Sequence, residues 1–320
     1  MNVLFTGGSS FSGFWFVKEL SNAGLKVYCT FTGKDLKSYE GIRKERINLL
    51  ENKAALIFDC PFGSEKFLDL VSTNEWSIFC HHAAVVKDYK SEQFDIAGAI
   101  KANTHNAELV IKTFAARGCS KIILTGSVFE KGEGSGDETL QAFSPYGLSK
   151  SFSYDIFEYF ARKSDLTLGK FVIPNPFGPF EEPRFTQYLI RNWFEDKIPA
   201  VNTPLYVRDN IHISLLAKVY LYFLQKCLNT PNGQSLKINP SGYIETQADF
   251  TARLANEMRD RLKLKCNYEL KTQTDFFEPM SRFNTEPAKN FVPDWDETEA
   301  WNQFAEYYKT FFSKVTPKVK

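Results

Sequence analysis

The chain has 320 residues, 43% of them hydrophobic and 24% charged, with a formal net charge of +1. That length accommodates one large domain with a smaller unit attached. The balanced charge excludes a global electrostatic pull toward nucleic acid or an anionic membrane, so any anionic ligand has to be held by local groups.

In chain order, short apolar or β-branched runs alternate with helical patterns. Residues 2–5 read as a strand, 11–23 as a helix and 26–31 as a second strand. The strand signal returns at 55–58, 77–80 and 121–124, with helical stretches such as 91–117 between. This alternation predicts a doubly wound parallel sheet of the Rossmann kind, with right-handed crossovers. A Gly/Glu-rich loop at 130–139 precedes a helix over 145–163 and an apolar strand over 166–173. The Pro-rich stretch 174–183 breaks the pattern. Beyond it the spacing predicts helices at 185–195 and 213–228, a strand near 236–238, and helices at 247–264 and 297–312. The expected fold class is α/β: a Rossmann domain over 1–173, to which 205–230 returns, with 174–204 and 231–320 forming a smaller, partly interleaved α/β substrate domain. Only the tail 315–320 reads as disordered.

Trp301, Phe304, Tyr308, Phe311 and Phe312 fall largely at helical spacing, as do Phe250, Leu254, Met258 and Leu262, so both sets read as buried helix faces. The six cysteines, Cys29, Cys60, Cys80, Cys119, Cys227 and Cys266, form no CxxC pair and fit reduced, mostly buried thiols. With four histidines and no HExxH spacing, no metal site is expected. No basic segment followed by an apolar core opens the chain, and no run approaches the roughly 20 apolar residues that span a bilayer. A cytoplasmic protein that binds neither membrane nor nucleic acid is expected.

The first chemical site is Thr6-Gly7-Gly8-Ser9-Ser10-Phe11-Ser12-Gly13, between the first strand and the first helix. Small residues there let the backbone approach a pyrophosphate, and free N–H groups at a helix N-terminus favour its charge. Ser10 stands where the middle glycine of the usual TGxxGxxG pattern would be, which is tolerable if its backbone needs no positive φ. The second strand ends without the acidic residue that accepts ribose hydroxyls in an NAD site. Thr32 and Lys34 favour the 2′-phosphate of NADP, with NAD as the alternative and plain solvation as the reading in which Lys34 does nothing.

The second site is Tyr146-Gly-Leu-Ser-Lys150, with Ser127 beyond the strand that ends at Leu124. Residues four apart share a helix face, so phenol and ammonium can reach one pocket. Positive charge from Lys150 and from oxidised nicotinamide is expected to lower the tyrosine pKa, and Ser127 can hydrogen-bond the reacting oxygen.

The ordered set TGGSSFSG, Asp59, His81-His82-Ala83-Ala84, Asn103, Ser127, YGLSK, Asn175-Pro-Phe-Gly-Pro179 and Val207-Arg-Asp-Asn-Ile-His212 resembles the extended short-chain dehydrogenase/reductase family, the NAD-dependent epimerase/dehydratase group that modifies nucleotide sugars. The resemblance spans about residues 1–225. It implies catalysis by Ser127, Tyr146 and Lys150. It implies a cofactor site of Gly7, Ser9, Ser10, Phe11, Gly13, Thr32, Lys34, Asp59, Cys60, His81, Ala83, Ala84, Asn103, Tyr146, Lys150 and Ile173, with Asp59 and Cys60 against the adenine and Asn103 bracing the sheet through its helix. Asn175 and Arg208 would meet the substrate diphosphate beside Ser127, although an ion pair with Asp209 or a neighbour is the competing role for Arg208. His81 and His82 close a buried strand, so a packed or cofactor-facing role is expected rather than acid/base work. A homodimer is expected.

Dehydratases of this group carry an Asp-Glu pair after the active-site hydroxyl residue, whereas Ser127 is followed by Val128-Phe129 and then Glu130 alone. That disfavours dehydration. The missing ribose clamp points to NADPH and to reduction of a nucleotide-linked 4-keto sugar. A C4 epimerase with tightly bound NAD is the alternative, and a non-catalytic NADP-binding sensor or scaffold stands behind both.

Overall fold

The structure is a computed structural model that describes residues 1–273 and 278–315. Ten strands and ten helices matter here. The strands are β1 (Asn2–Thr6), β2 (Lys26–Thr30), β3 (Ala55–Ile57), β4 (Ile78–His81), β5 (Lys121–Ser127), β6 (Thr167–Ile173), β7 (Asn175–Phe177), β8 (Val207–His212), β9 (Ser235–Ile238) and β10 (Tyr243–Thr246). The helices are α1 (Phe11–Asn22), α2 (Gly41–Leu50), α3 (Glu65–Thr73), α4 (Ile96–Asn103), α5 (Ala107–Ala116), α6 (Pro145–Lys163), α7 (Phe185–Phe194), α8 (Ile213–Asn229), α9 (Gln247–Leu262) and α10 (Glu297–Val315).

Seven strands form one sheet in the order β9-β6-β5-β4-β1-β2-β3, every neighbouring pair parallel. The order reverses after β1, and in open α/β sheets ligands bind at that reversal, outside the carboxyl ends of the strands. Central strands such as β4 are buried along their whole length, which is why they read as continuous apolar runs. On one face α1 and α8 pack together through Phe16 and Tyr220, whose rings stack at 4.2 Å. On the other, Phe67 and Val71 of α3, Val110, Ile111 and Phe114 of α5 and Phe157 of α6 close the second core.

The smaller unit has its own core. Phe250, Leu254, Met258 and Leu262 of α9 meet Trp301, Phe304, Tyr308 and Phe312 of α10 and Leu189, Ile190 and Trp193 of α7. Its three-stranded sheet has β8 in the centre, antiparallel to β10 and parallel to β7.

Three expectations change. Strand β9 pairs with β6 at the edge of the large sheet, so 235–238 lies outside the smaller unit to which the sequence pattern assigns 231–320. The helical stretch 91–117 is two helices, broken where Asn106 takes the left-handed conformation at φ 53. Within the loop 130–139, residues 135–136 pair antiparallel with 282–283 and fasten the loop to the smaller unit. Of the tail, residues 316–320 lie outside the described residues. All six cysteines are buried and unpaired with one another. Among the described residues no helix is long and apolar enough to cross a membrane, and no group of three His, Cys, Asp or Glu side chains could hold a metal ion.

Candidate active site

At the end of β1 the chain turns sharply into α1. Gly7 sits at φ +85, and a Cβ there would lie 2.8 Å from the Ala83 backbone nitrogen, so no other residue fits without strain. A Cβ at Gly13 would run into the Gly7 carbonyl oxygen. Ser10, at φ −74, is the N-cap of α1, its Oγ accepting from Gly13 N at 3.2 Å and donating to Gly7 O at 2.8 Å. Phe11 is buried below. A cradle of small residues at a helix N-terminus suits a dinucleotide pyrophosphate.

Two histidines lie behind this turn. Thr6 Oγ1 accepts from His82 N and Ala83 N, which leaves its own proton for His81 Nδ1 at 3.0 Å. His81 Nε2 then donates to the Asn103 carbonyl at 3.2 Å. The Asn103 side chain accepts from Val85 N and donates to Ser153 Oγ, joining the segment that carries Ala83 and Ala84 to α6. Burial, then the Lys150 charge, holds His81 down to about 3, so its imidazole is neutral.

At the far end of the turn, Phe31 is buried against Phe58 and Tyr39. Thr32 and Lys34 are exposed, while the nearby acid Asp35 caps a short helical turn through Ser38 N at 3.1 Å. Asp59, left-handed at φ 52, is exposed next to the buried Cys60. Sequence reasoning missed Arg43 and Arg46. Arg43 Nη2 reaches Ser9 Oγ at 3.0 Å, and the fully buried Arg46 holds Ser9 O at 3.1 Å, the Phe180 carbonyl and Glu182. Two arginines three apart in α2, the helix that follows the second strand, were the available signal.

The candidate reaction centre gathers at the end of β5. Ser127 faces Ile173 across the β5–β6 register, and its Oγ accepts from Phe129 N at 3.2 Å. Ser144 caps α6, with Pro145 in the first turn. Tyr146 follows, half-buried, with Tyr89, Phe94 and Phe129 edge-on around its ring. One turn later Lys150 is buried and donates from Nζ to the Thr125 carbonyl at 2.5 Å. The tyrosine does not behave as expected. Burial first, then Glu130 and Tyr89, pushes its phenol up, against Arg184. Burial and the Lys170 charge push Lys150 down, against Glu130.

Glu130 and its partners were also missed. Its Oε1 accepts from Ser127 N at 2.8 Å, and Lys170 lies 2.7 Å from both Glu130 and Glu133, all three buried. Arg282 donates to the Glu130 and Glu133 carbonyls from the smaller unit. On the substrate side, Asn175 donates to Asn210 at 2.6 Å. Arg208 pairs with Glu278 at 2.9 Å and covers the rings of Tyr206 and Phe129, so the ion pair exists, but with Glu278 and not with its neighbour Asp209. Asp209 accepts from Gly242 N and Asn284 N.

A parallel sheet of this order with a Gly-rich turn at its switch point defines a doubly wound α/β protein of the dinucleotide-binding kind. Residues 3–239 match the profile of the NAD dependent epimerase/dehydratase family. The chain therefore belongs to that family, which is one of enzymes. No curated protein matches it significantly by sequence. Among solved structures it is similar to a UDP-glucuronic acid 4-epimerase variant from Bacillus cereus in complex with a fluorinated substrate analogue and NAD, at 16% identity and TM-score 0.75 over 97% of this chain and 100% of the other. It is likewise similar to a UDP-glucose-4-epimerase from Stenotrophomonas maltophila with NAD, at 17% identity and TM-score 0.75, covering 99% and 100%. A dTDP-glucose 4,6-dehydratase from Streptomyces venezuelae with NAD gives 16% identity and TM-score 0.72, covering 100% of both chains.

Proposed function

We propose that the protein is an NADPH-dependent reductase of a nucleotide-linked 4-keto sugar. The ribose end of the turn carries this reading: Phe31 is buried where an acid would clamp the ribose, and the Arg43 guanidinium lies on Ser9 of the turn. A 2′-phosphate needs donors and positive charge, which Arg43, Lys34 and Thr32 supply. Gly7, Ser9, Ser10, Phe11 and Gly13 would take the pyrophosphate and Asp59 and Cys60 the adenine. Ala83, Ala84, Ile173, Tyr146 and Lys150 would line the nicotinamide end, with His81 and Asn103 as support. When bound, the reduced cofactor supplies a hydride.

Tyr146 gives its proton to the carbonyl oxygen that becomes the new hydroxyl, and Ser127 donates a hydrogen bond to the same oxygen. A phenol whose pKa is pushed up by burial stands protonated and acts first as an acid, which supports the reductive direction. Lys150 orients the ribose beside Tyr146. Asn175 and Arg208 take the diphosphate, with Arg208 exchanging Glu278 for it. A homodimer is supported by the exposed apolar side chains Leu109 of α5 and Phe152 and Tyr159 of α6, and is checked by light scattering. The cytoplasm is its proposed location.

A C4 epimerase with tightly bound NAD is the second reading, favoured by the likeness to 4-epimerase structures that contain NAD. Thermal unfolding with NAD, NADP and a set of nucleoside diphosphates separates the two, since a ligand at about 100 times its Kd adds ~2.7 kcal/mol. Stabilisation by NADP above NAD, followed by NADPH oxidation with a 4-keto nucleotide sugar, is expected. Stabilisation by NAD alone transfers the assignment to the epimerase, and no turnover with either leaves the non-catalytic NADP-binding protein.

A further inference from the structure

The turn carries a serine where dinucleotide turns place a glycine, and the reason it fits lies underneath. His82 is enclosed between Phe5, stacked at 5.7 Å, and Phe16, edge-on at 5.3 Å. Its Nε2 lies 3.0 Å from Ser10 Oγ and 3.2 Å from Ser12 Oγ, and its Nδ1 lies 2.9 Å from Thr125 Oγ1. With the Ser10 proton placed on Gly7 O, the contacts favour the tautomer that carries its hydrogen on Nε2. Ser10 Oγ already spends its proton on Gly7 O and accepts from Gly13 N, so it accepts again from His82 Nε2–H. Nδ1 is then the acceptor for the Thr125 hydroxyl. Burial, followed by the Lys150 and His81 charges, pushes His82 down to about 3, so the neutral ring persists across the working pH range.

Three bonds thus turn the Ser10 hydroxyl under the turn, onto the protein side. A hydroxyl freed from them could rotate outward, toward the face where the backbone N–H groups of the helix N-terminus are offered. We infer that His82 is a positioning residue for the cofactor turn, holding Ser10 Oγ beneath it so that a serine can stand where a dinucleotide passes closest to the backbone. The inference rests on the dinucleotide-binding reading above. The same imidazole ties the turn to Thr125, whose carbonyl anchors Lys150.

Two substitutions divide the imidazole between its ends. His82→Asn keeps an amide near the Nδ1 position and loses the Ser10 contact, whereas His82→Gln reaches to the Nε2 position. Each is made with Ser10 and with Ser10→Gly, and Kd for NAD and for NADP is measured by fluorescence titration alongside unfolding without cofactor. His82→Asn is expected to weaken the preferred dinucleotide about tenfold, equivalent to ~1.4 kcal/mol for one lost hydrogen bond. His82→Gln should stay within about threefold, and Ser10→Gly should restore His82→Asn to within about threefold of the parent. Unchanged affinity in folded His82→Asn, or equal weakening in the serine and glycine backgrounds, overturns the inference and leaves a packing role only. If His82→Asn does not fold with Ser10, the Gln variant carries the test, and a tenfold loss there that Ser10→Gly fails to restore overturns it. A parent protein that binds neither NAD nor NADP removes the dinucleotide reading itself, and this inference with it.

Discussion

Replacing Lys170 by methionine removes the cation that lies 2.7 Å from Glu130 and 2.7 Å from Glu133 in a region where all three side chains are buried. Glu133 keeps Lys237 at 3.3 Å, a half-exposed partner, while Glu130 is left with the Ser127 N–H. Breaking a buried ion pair from one side costs about 3–5 kcal/mol because the surviving charge stays out of water. The remaining Ser127 bond and the nearby Lys150 charge put the expected loss toward the lower end, about 3 kcal/mol. Urea unfolding of the parent and of Lys170→Met reads this directly, and adding Glu130→Gln to Lys170→Met should recover most of the loss, because the amide leaves no buried charge without its partner. A loss below about 1 kcal/mol, or no recovery in the double variant, refutes the reasoning.

The remaining predictions concern the site and a second buried carboxyl. Tyr146→Phe should abolish turnover while cofactor Kd by fluorescence titration changes less than about threefold, since on the proposed function the phenol acts on the sugar oxygen. Glu130→Gln should move the Tyr146 ionisation to lower pH in an ultraviolet difference titration, because Glu130 follows burial among the causes that raise it. Arg43→Ala should weaken NADP by about tenfold or more and leave NAD nearly unchanged, a charge-assisted bond being worth ~1.5–3 kcal/mol. Glu181 accepts from Thr186 and Tyr308, and burial raises its pKa to about 8. A carboxyl raised in the native state withdraws stability as pH climbs from its unfolded value through 8. Glu181→Gln should therefore flatten the decline in unfolding free energy measured between pH 5 and pH 8.5.

The large sheet was legible because strands buried on both faces must be apolar throughout, as in Ile122-Ile123-Leu124 and Ile78-Phe79-Cys80. Gly7 and Gly13 were legible through sterics, and Tyr146 and Lys150 through the helical repeat. Strand β9 was placed in the wrong unit because Ser-Leu-Lys-Ile alternates in exposure like any short edge strand, and nothing local says which sheet it borders. The partners of the active-site loop were illegible for a different reason. Arg282 meets the Glu130 carbonyl across 152 positions, and Glu278 meets Arg208 across 70, so their meeting is a product of the tertiary fold. A local hint did exist: a lysine in the middle of the buried strand Leu168-Gly169-Lys170-Phe171 requires a carboxylate beside it. The tyrosine pKa was expected to fall because the helix repeat brings Lys150 near and oxidised nicotinamide adds a second positive charge. Burial sets the opposite sign, and Glu130, a residue with no helical relation to Tyr146, adds to it.

These contacts converge on one strand end. Thr125 meets His82 through its hydroxyl beneath the Gly-rich turn and offers its carbonyl to Lys150. Two residues on, Ser127 gives its N–H to Glu130, whose backbone carbonyl is held by Arg282 of the smaller unit. The β5–β6 register sets Ile173 opposite Ser127, and two residues beyond Ile173 the chain reaches Asn175 of the smaller sheet. The end of β5 is thus restrained from the turn, from the smaller unit and from its neighbour strand at once. On the proposed function, a reacting oxygen held by Ser127 and Tyr146 would have its position fixed by all three, and a 1 Å error there is enough to cost a large factor in rate. On the proposed function, substitutions at Arg282 or Lys170, which touch neither proposed ligand, should therefore act on the hydride step through the backbone of Ser127, with their effect on kcat more than on cofactor affinity.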